Sequence, residues 1–200
     1  SRQQQQQYSE FDKKNTARHP TIRHLPHFTP FQQWNFILGH IGVKSVVDVG
    51  CGVGFSTTYF RDRGARVLCV EGSHDAVSNT LLPLELVVEH DFSRGAYWPE
   101  QLFDAAWCVE FTEHVGRMYQ QNYFATFRRA ALIFMTASPT GGWHHVEQRD
   151  SWWWIARMEM QGFKYSTELT EVVRLNAEFD PGRWPHSNGG RVQPGTMPYG

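Results

Sequence analysis

An acid followed by glycine at every second position, Asp48-Val-Gly50-Cys51-Gly52-Val-Gly54, closes a short β-branched run. Glycines at such a place let a chain turn sharply from strand to helix while a ligand lies against bare main chain, where a Cβ would collide. The helix that follows offers free N–H groups to the ligand's polar atoms. Further acids stand downstream, each beside a small or aromatic residue: Glu71 with Gly72, Asp91 with Phe92, Glu110 with Phe111. A second group suits proton chemistry. It comprises Glu113 and His114, and the adjacent His144 and His145 on a loop that begins Pro139-Thr-Gly141-Gly142-Trp143. Histidine gives and takes a proton near neutral pH, which fits it as a general base toward a hydroxyl.

Residues so far apart in the chain need a scaffold that gathers them. Hydrophobic patterning predicts strands at 45–49, 65–71, 84–90, 103–111 and 131–137. Helices are expected at 31–42, 55–63, 73–81, 118–130 and 150–161, with Gly42 and Gly64 as stops and Ser73 as an N-cap. Strands alternating with helices at this interval imply an α/β fold with a doubly wound, mostly parallel sheet and helices on both faces. Ligands of open α/β sheets bind outside the carboxyl ends of the strands, where the residues above would meet. Beyond Gly162 the pattern weakens to a short strand at 163–165, a helix at 166–177 and an edge strand at 191–193.

Two hundred residues fit one domain, taken as 31–180. Residues 1–30 open with Ser-Arg and five glutamines and carry Pro20, Pro26 and Pro30, which marks a low-complexity or lid segment. Residues 181–200 form a Gly/Pro-rich tail. The net charge of −1 favours neither nucleic acid nor an anionic membrane. Aromatic content is high, at 14% with 8 Trp and 14 Phe, which is read as an aromatic core with a share left for a ligand cleft. Trp152, Trp153 and Trp154 cannot all face one way on a helix, so one of them meets solvent, the acceptor or another chain. Cys51, Cys69 and Cys108 lie in apolar runs without zinc spacing and are read as reduced core thiols. With no apolar span and no signal peptide in view, a cytoplasmic location is favoured.

The glycine turn and the acids after it resemble the motifs of the class I S-adenosylmethionine-dependent methyltransferases, over roughly residues 31–163. The resemblance implies a single domain with a sheet of the seven-stranded type. It implies S-adenosylmethionine as cofactor, with Asp48 facing its positive groups and Gly50, Cys51, Gly52 and Gly54 lying against it. Glu71, with Gly72, would receive the ribose hydroxyls, and Asp91 the adenine amino group, with Phe92 on the base. Phe103-Asp104 through Glu110-Phe111-Thr-Glu113-His114 is similar to the family's fourth motif, which places Glu110 and Phe111 beside the cofactor.

His145, His144, Glu113 and His114 are the residues expected to act on the acceptor. A hydroxyl on a sugar, glycan or other small molecule is the favoured acceptor. A carboxylate or phenol, and a binding domain without turnover, stay open. The motif Asn/Asp-Pro-Pro-Tyr/Phe is absent, which argues against methylation of nucleic-acid bases. Glycine spacing argues against a nicotinamide enzyme. No metal is expected, because a hard cation such as Mg²⁺ prefers carboxylates and this loop is rich in histidine.

Overall fold

The β-branched run after Gly42 forms the central strand of the sheet, β1 (Ser45–Val49), and all five of its residues are buried. A strand buried on both faces reads as a continuous apolar run, as this one does apart from Asp48. The computed structural model describes residues 31–176. Its other elements are α1 (Phe31–Phe36, continued by a π-helical turn Ile37–Ile41), α2 (Phe55–Asp62), β2 (Arg66–Glu71), α3 (His74–Ser78), β3 (Val87–Glu89), β4 (Phe103–Val109), α4 (Gln120–Phe127), β5 (Ala130–Thr136), α5 (Ser151–Glu159) and α6 (Thr167–Leu175).

The five strands are parallel, in the order β3-β2-β1-β4-β5. The chain winds outward from β1 in one direction and then in the other, so the order reverses between β1 and β4. That reversal opens a crevice at the carboxyl ends of these two strands. Asp104 ties their opposite ends, accepting from the Lys44 N–H at 2.8 Å and the Ser45 hydroxyl at 3.0 Å.

Alternate residues of each strand serve opposite faces. Val46, Ala105 and Trp107 pack with Trp34, Ile37, Tyr59, Phe60 and Val173 under α1, α2 and α6. Val47, Val49, Ala106 and Cys108 pack with Tyr123, Phe124 and Phe127 of α4. The aromatic surplus therefore goes largely to the core. Of the three consecutive tryptophans, Trp154 is buried and Trp152 is exposed.

Several expectations need correction. The helix foreseen at 73–81 stops at Ser78, because Leu81 N–H turns aside to Val53 O at 2.8 Å. The Ser73 cap is present, accepting from Ala76 N–H. No strand forms at 163–165, where Phe163 instead packs on Phe124 and Phe127. The described sheet has five strands, and the candidate at 191–193 lies outside the described residues, as do 1–30 and 181–200. Cys51 and Cys69 are not separate thiols. Asp48 pairs in register with Cys69, and the turn after β1 brings Cys51 back over β2 to form a disulfide with a Cα–Cα distance of 5.7 Å. Among the described residues only Cys108 is free, and it is buried. No described helix is long and apolar enough to cross a membrane.

Candidate active site

The crevice between β1 and β4 is a cleft of about 760 Å³. Its walls include Gly50, Gly52, Glu71, Gly72, Asp91, Phe92, Glu110, Phe111, His114 and His144. Ten of the residues singled out by sequence therefore share one cavity. Ser73, His90 and Val115 also line it.

Main chain forms one wall. Gly50 has φ of 73°, and a Cβ there would lie 2.2 Å from the Phe111 ring, so only glycine fits between the turn and that aromatic. Gly52, at φ 56°, presents its N–H to Glu71 Oε2 at 2.7 Å. Glu71 Oε1 accepts from Ser73 N–H at 2.8 Å. Each oxygen of an ionised carboxylate has two lone pairs, so Glu71 keeps one on each for a ligand.

Asp91 accepts from Ser93 N–H at 2.8 Å, and its bonds to Ser93 hold its carboxyl below the usual carboxylate range. Phe92 is buried between Phe111, Tyr123 and His90, with one edge reaching the cleft. The Nε2 of His90 lies 2.9 Å from Gly95 O.

Three expected cofactor residues stand elsewhere. Asp48 is 2% exposed and absent from the cleft wall. Its Oδ2 accepts from the hydroxyls of Ser56 and Thr57, both at 2.6 Å, on the first turn of α2. Burial pushes its pKa up to about 6, against the pull of those two hydroxyls. Cys51 is taken by the disulfide. Gly54 packs under Leu82, whose Cδ1 would lie 2.7 Å from a Cβ. These three shape the turn rather than face the cavity.

A second cluster is built where β4 ends. Glu110 has φ of 51° and His144 has φ of 57°, the two described non-glycine residues in the left-handed region, and both line the cleft. Such backbones cost on the order of 1–3 kcal/mol each and persist where the surroundings hold them. Glu110 Oε1 accepts from the Thr136 hydroxyl at 2.8 Å. Burial, then the Glu113 charge, raises its pKa.

Glu113 is fully buried and accepts from Ser138 N–H at 3.0 Å. Its carbonyl accepts from both Val146 N–H and Glu147 N–H, at 2.8 and 3.0 Å, which binds the histidine loop to the end of β4. Glu147, also buried, holds the far side of that loop through Arg117 at 2.9 Å and Arg149 at 2.7 Å.

The His114 and His145 rings meet edge to face at 4.8 Å. His114 Nδ1 lies 3.2 Å from His144 O, and His145 Nδ1 lies 2.9 Å from Thr140 O. A carbonyl only accepts, so each Nδ1 is the donor, and it is Nε2 that bears the lone pair in the neutral form of such a ring. Burial and the neighbouring His145 lower the pKa of His114, which keeps that ring neutral near pH 7. His145 stands beside His114 and is not on the cleft wall itself, whereas His144 is.

Residues 47–131 match the profile of a family described as a methyltransferase domain. The chain is similar to the solved methyltransferase domain of bacterial CtHen1-C, at 17% identity and a TM-score of 0.50, over 66% of this chain and 85% of that one. It is also similar to coclaurine N-methyltransferase bound to N-methylheliamine and SAH, at 17% identity and a TM-score of 0.42, over 56% and 38%. A third is an S-adenosylmethionine-dependent methyltransferase from Clostridium acetobutylicum, at 17% identity and a TM-score of 0.47, over 64% and 57%. The chain thus spans less than two thirds of the last two. No curated protein matches it.

Proposed function

We propose that this methyltransferase domain, of the class I fold, holds S-adenosylmethionine in the cleft between β1 and β4 and transfers its methyl group to a hydroxyl of a sugar or other small molecule. One observation supports this above the rest: glycine main chain, the Glu71 and Asp91 carboxylates and the edges of Phe92 and Phe111 converge on one cavity, with His114 and His144 on the same wall.

The residues present fit the cofactor. A volume of about 760 Å³ lies within the range of small-molecule sites. Glu71, with a free lone pair on each oxygen, suits the paired ribose hydroxyls. Asp91 suits an amino group. Phe92 and Phe111 offer apolar edges to a flat base. The bound cofactor supplies a methyl carbon already activated by its sulfonium.

What remains for the protein is alignment, exclusion of water and removal of one proton. The acceptor oxygen forms a bond to the methyl carbon as the carbon–sulfur bond breaks, and the hydroxyl proton must leave. His114, on the cleft wall with its pKa lowered by burial, is the group that suits this proton, and the His145 ring packs against it. The exposed Trp143, whose ring packs on His144, gives a sugar ring a face to rest on.

Transfer of labelled methyl from S-adenosylmethionine to a panel of sugars, phenols and carboxylic acids tests the reading, with calorimetry of S-adenosylhomocysteine in parallel. Micromolar binding and label on a hydroxylated acceptor are expected. Label on phenols or acids alone would move the acceptor class. Binding with no label anywhere would leave a silent binding domain, and absence of binding would sink the proposal.

A further inference from the structure

Glu113 presents an electrostatic debt: it is fully buried, Ser138 N–H satisfies Oε1, and Oε2 has no hydrogen-bond partner. A buried carboxylate oxygen left bare is costly unless something positive meets it. None of the ion pairs among the described residues involves Glu110 or Glu113. What does stand there are two imidazoles. One ligand atom from each of Glu113, His114 and His145 falls within 4.8 Å of the others.

We propose that Glu113, His114 and His145 bind one divalent transition-metal ion at the mouth of the cleft, and that this ion holds the acceptor hydroxyl beside the methyl donor. The second part rests on the methyl-transfer reading; the first does not.

The ring chemistry supports a ligand role. Metal-bound histidines characteristically donate their other N–H to a carbonyl or carboxylate, which fixes the tautomer and aims the free nitrogen. His114 and His145 both do this, to His144 O and Thr140 O. Glu110, in contact with Glu113 and on the cleft wall, adds a second carboxylate at the site. The mixed donor set changes the expectation that the sequence supported. Histidine-rich surroundings disfavour Mg²⁺, yet two imidazoles with carboxylate suit Mn²⁺, Fe²⁺, Co²⁺ or Zn²⁺. With both imidazoles as ligands, the cation rather than either ring would activate the hydroxyl, polarising it so that its proton passes to water.

The ligands are also held together from behind. His145 is placed by the bonds of Val146 and Glu147 to the carbonyl of Glu113, itself a ligand. Gly142 lies against the His145 ring, and a Cβ there would come within 2.6 Å of Nε2. An alanine would push the ring aside without altering a ligand.

The test uses the full chain, stripped by a chelator and titrated with MnCl₂ and ZnCl₂ by calorimetry, with Mn²⁺ also followed by electron paramagnetic resonance. One saturable site per chain is expected. His145→Ala, Glu113→Gln and Gly142→Ala should each weaken it at least tenfold, while Leu84→Ala, at an exposed position away from the cleft, leaves it unchanged. Melting curves report whether each variant folds. Should Glu113→Gln fail to fold, His145→Ala and Gly142→Ala, both on the surface loop, still decide the matter. No saturable site, or equal affinity in wild type and both loop variants, overturns the proposal. S-adenosylhomocysteine binding is measured on the same samples. Its loss with metal binding intact would remove the methyl-transfer reading and leave the metal site standing.

Discussion

Glu71 Oε2 accepts the Gly52 N–H at 2.7 Å, so the acid at the tip of β2 grips the glycine turn that leaves β1. The same carboxylate reaches Ser73 N–H with its other oxygen. Glu71 therefore shapes the cleft before it binds anything. Glu71→Ala frees two N–H groups at once and should cost about 1–3 kcal/mol in stability, the usual penalty for such losses. It should also weaken S-adenosylhomocysteine at least tenfold by calorimetry. Glu71→Gln, which keeps one acceptor, should fall between. Undiminished affinity in the alanine variant would separate this acid from the ligand.

Asp48 makes a prediction about pH. Its folded pKa stands at about 6, above the ordinary 3.8. Its carboxyl is therefore easier to keep protonated in the folded chain than in the unfolded one. The contribution of Asp48 to stability should be greatest below about pH 4, fall as pH rises toward 6, and then level off. Asp48→Asn has no such step. The stability difference between variant and wild type should shift by about 2–3 kcal/mol in favour of the variant between pH 4 and 7, since each pKa unit is worth roughly 1.4 kcal/mol. Urea melts of both proteins across that range check it, and a difference that stays constant would contradict it. Cofactor affinity in Asp48→Asn should change little. A large loss would return this acid to the ligand's side of the turn.

Thiol chemistry checks the corrected reading of the cysteines. Unfolded without reductant, the chain should expose one reactive thiol, from Cys108; after reduction, three. Reduction opens a link between residues 18 apart and should lower stability by about 3 kcal/mol. Three thiols without reductant would restore the earlier expectation.

Glu147 anchors the histidine loop from the side opposite the cleft, through Arg117 and Arg149. Glu147→Gln should loosen residues 137–150 while the sheet stays intact. Hydrogen exchange should then quicken at Val146 and Glu147, with S-adenosylhomocysteine affinity within about twofold of wild type. Unchanged exchange would place the anchor in the Glu113 carbonyl alone.

Much of this arrangement was legible in the chain before any coordinates. Alternating patterns outlined the strands and helices, and strand ends are where α/β sheets carry ligands, so Gly50, Gly52, Glu71, Asp91, Phe92, Glu110 and Phe111 could be grouped in advance. What escaped depended on contacts across long stretches of chain. Asp48 has the right place for a ligand, but Ser56 and Thr57 offer it hydroxyls first. Cys51 meets Cys69 only because of the register of β1 on β2. A paired histidine in sequence gave no hint that His145 would turn toward His114 while His144 faces the cleft. The bare oxygen of Glu113 is likewise a property of its burial, which residue type does not encode.

The carbonyl of Glu113 receives two N–H groups from the histidine loop, at the foot of its Gly-Gly tip. Chemistry and recognition are thereby divided. Under the methyl-transfer proposal, drift in the tip around Trp143 would retune acceptor choice, while the Glu113, His114 and His145 cluster keeps its geometry because the Glu113 backbone clamps the loop. A lineage built on such a hinge can change its diet without relearning how to react.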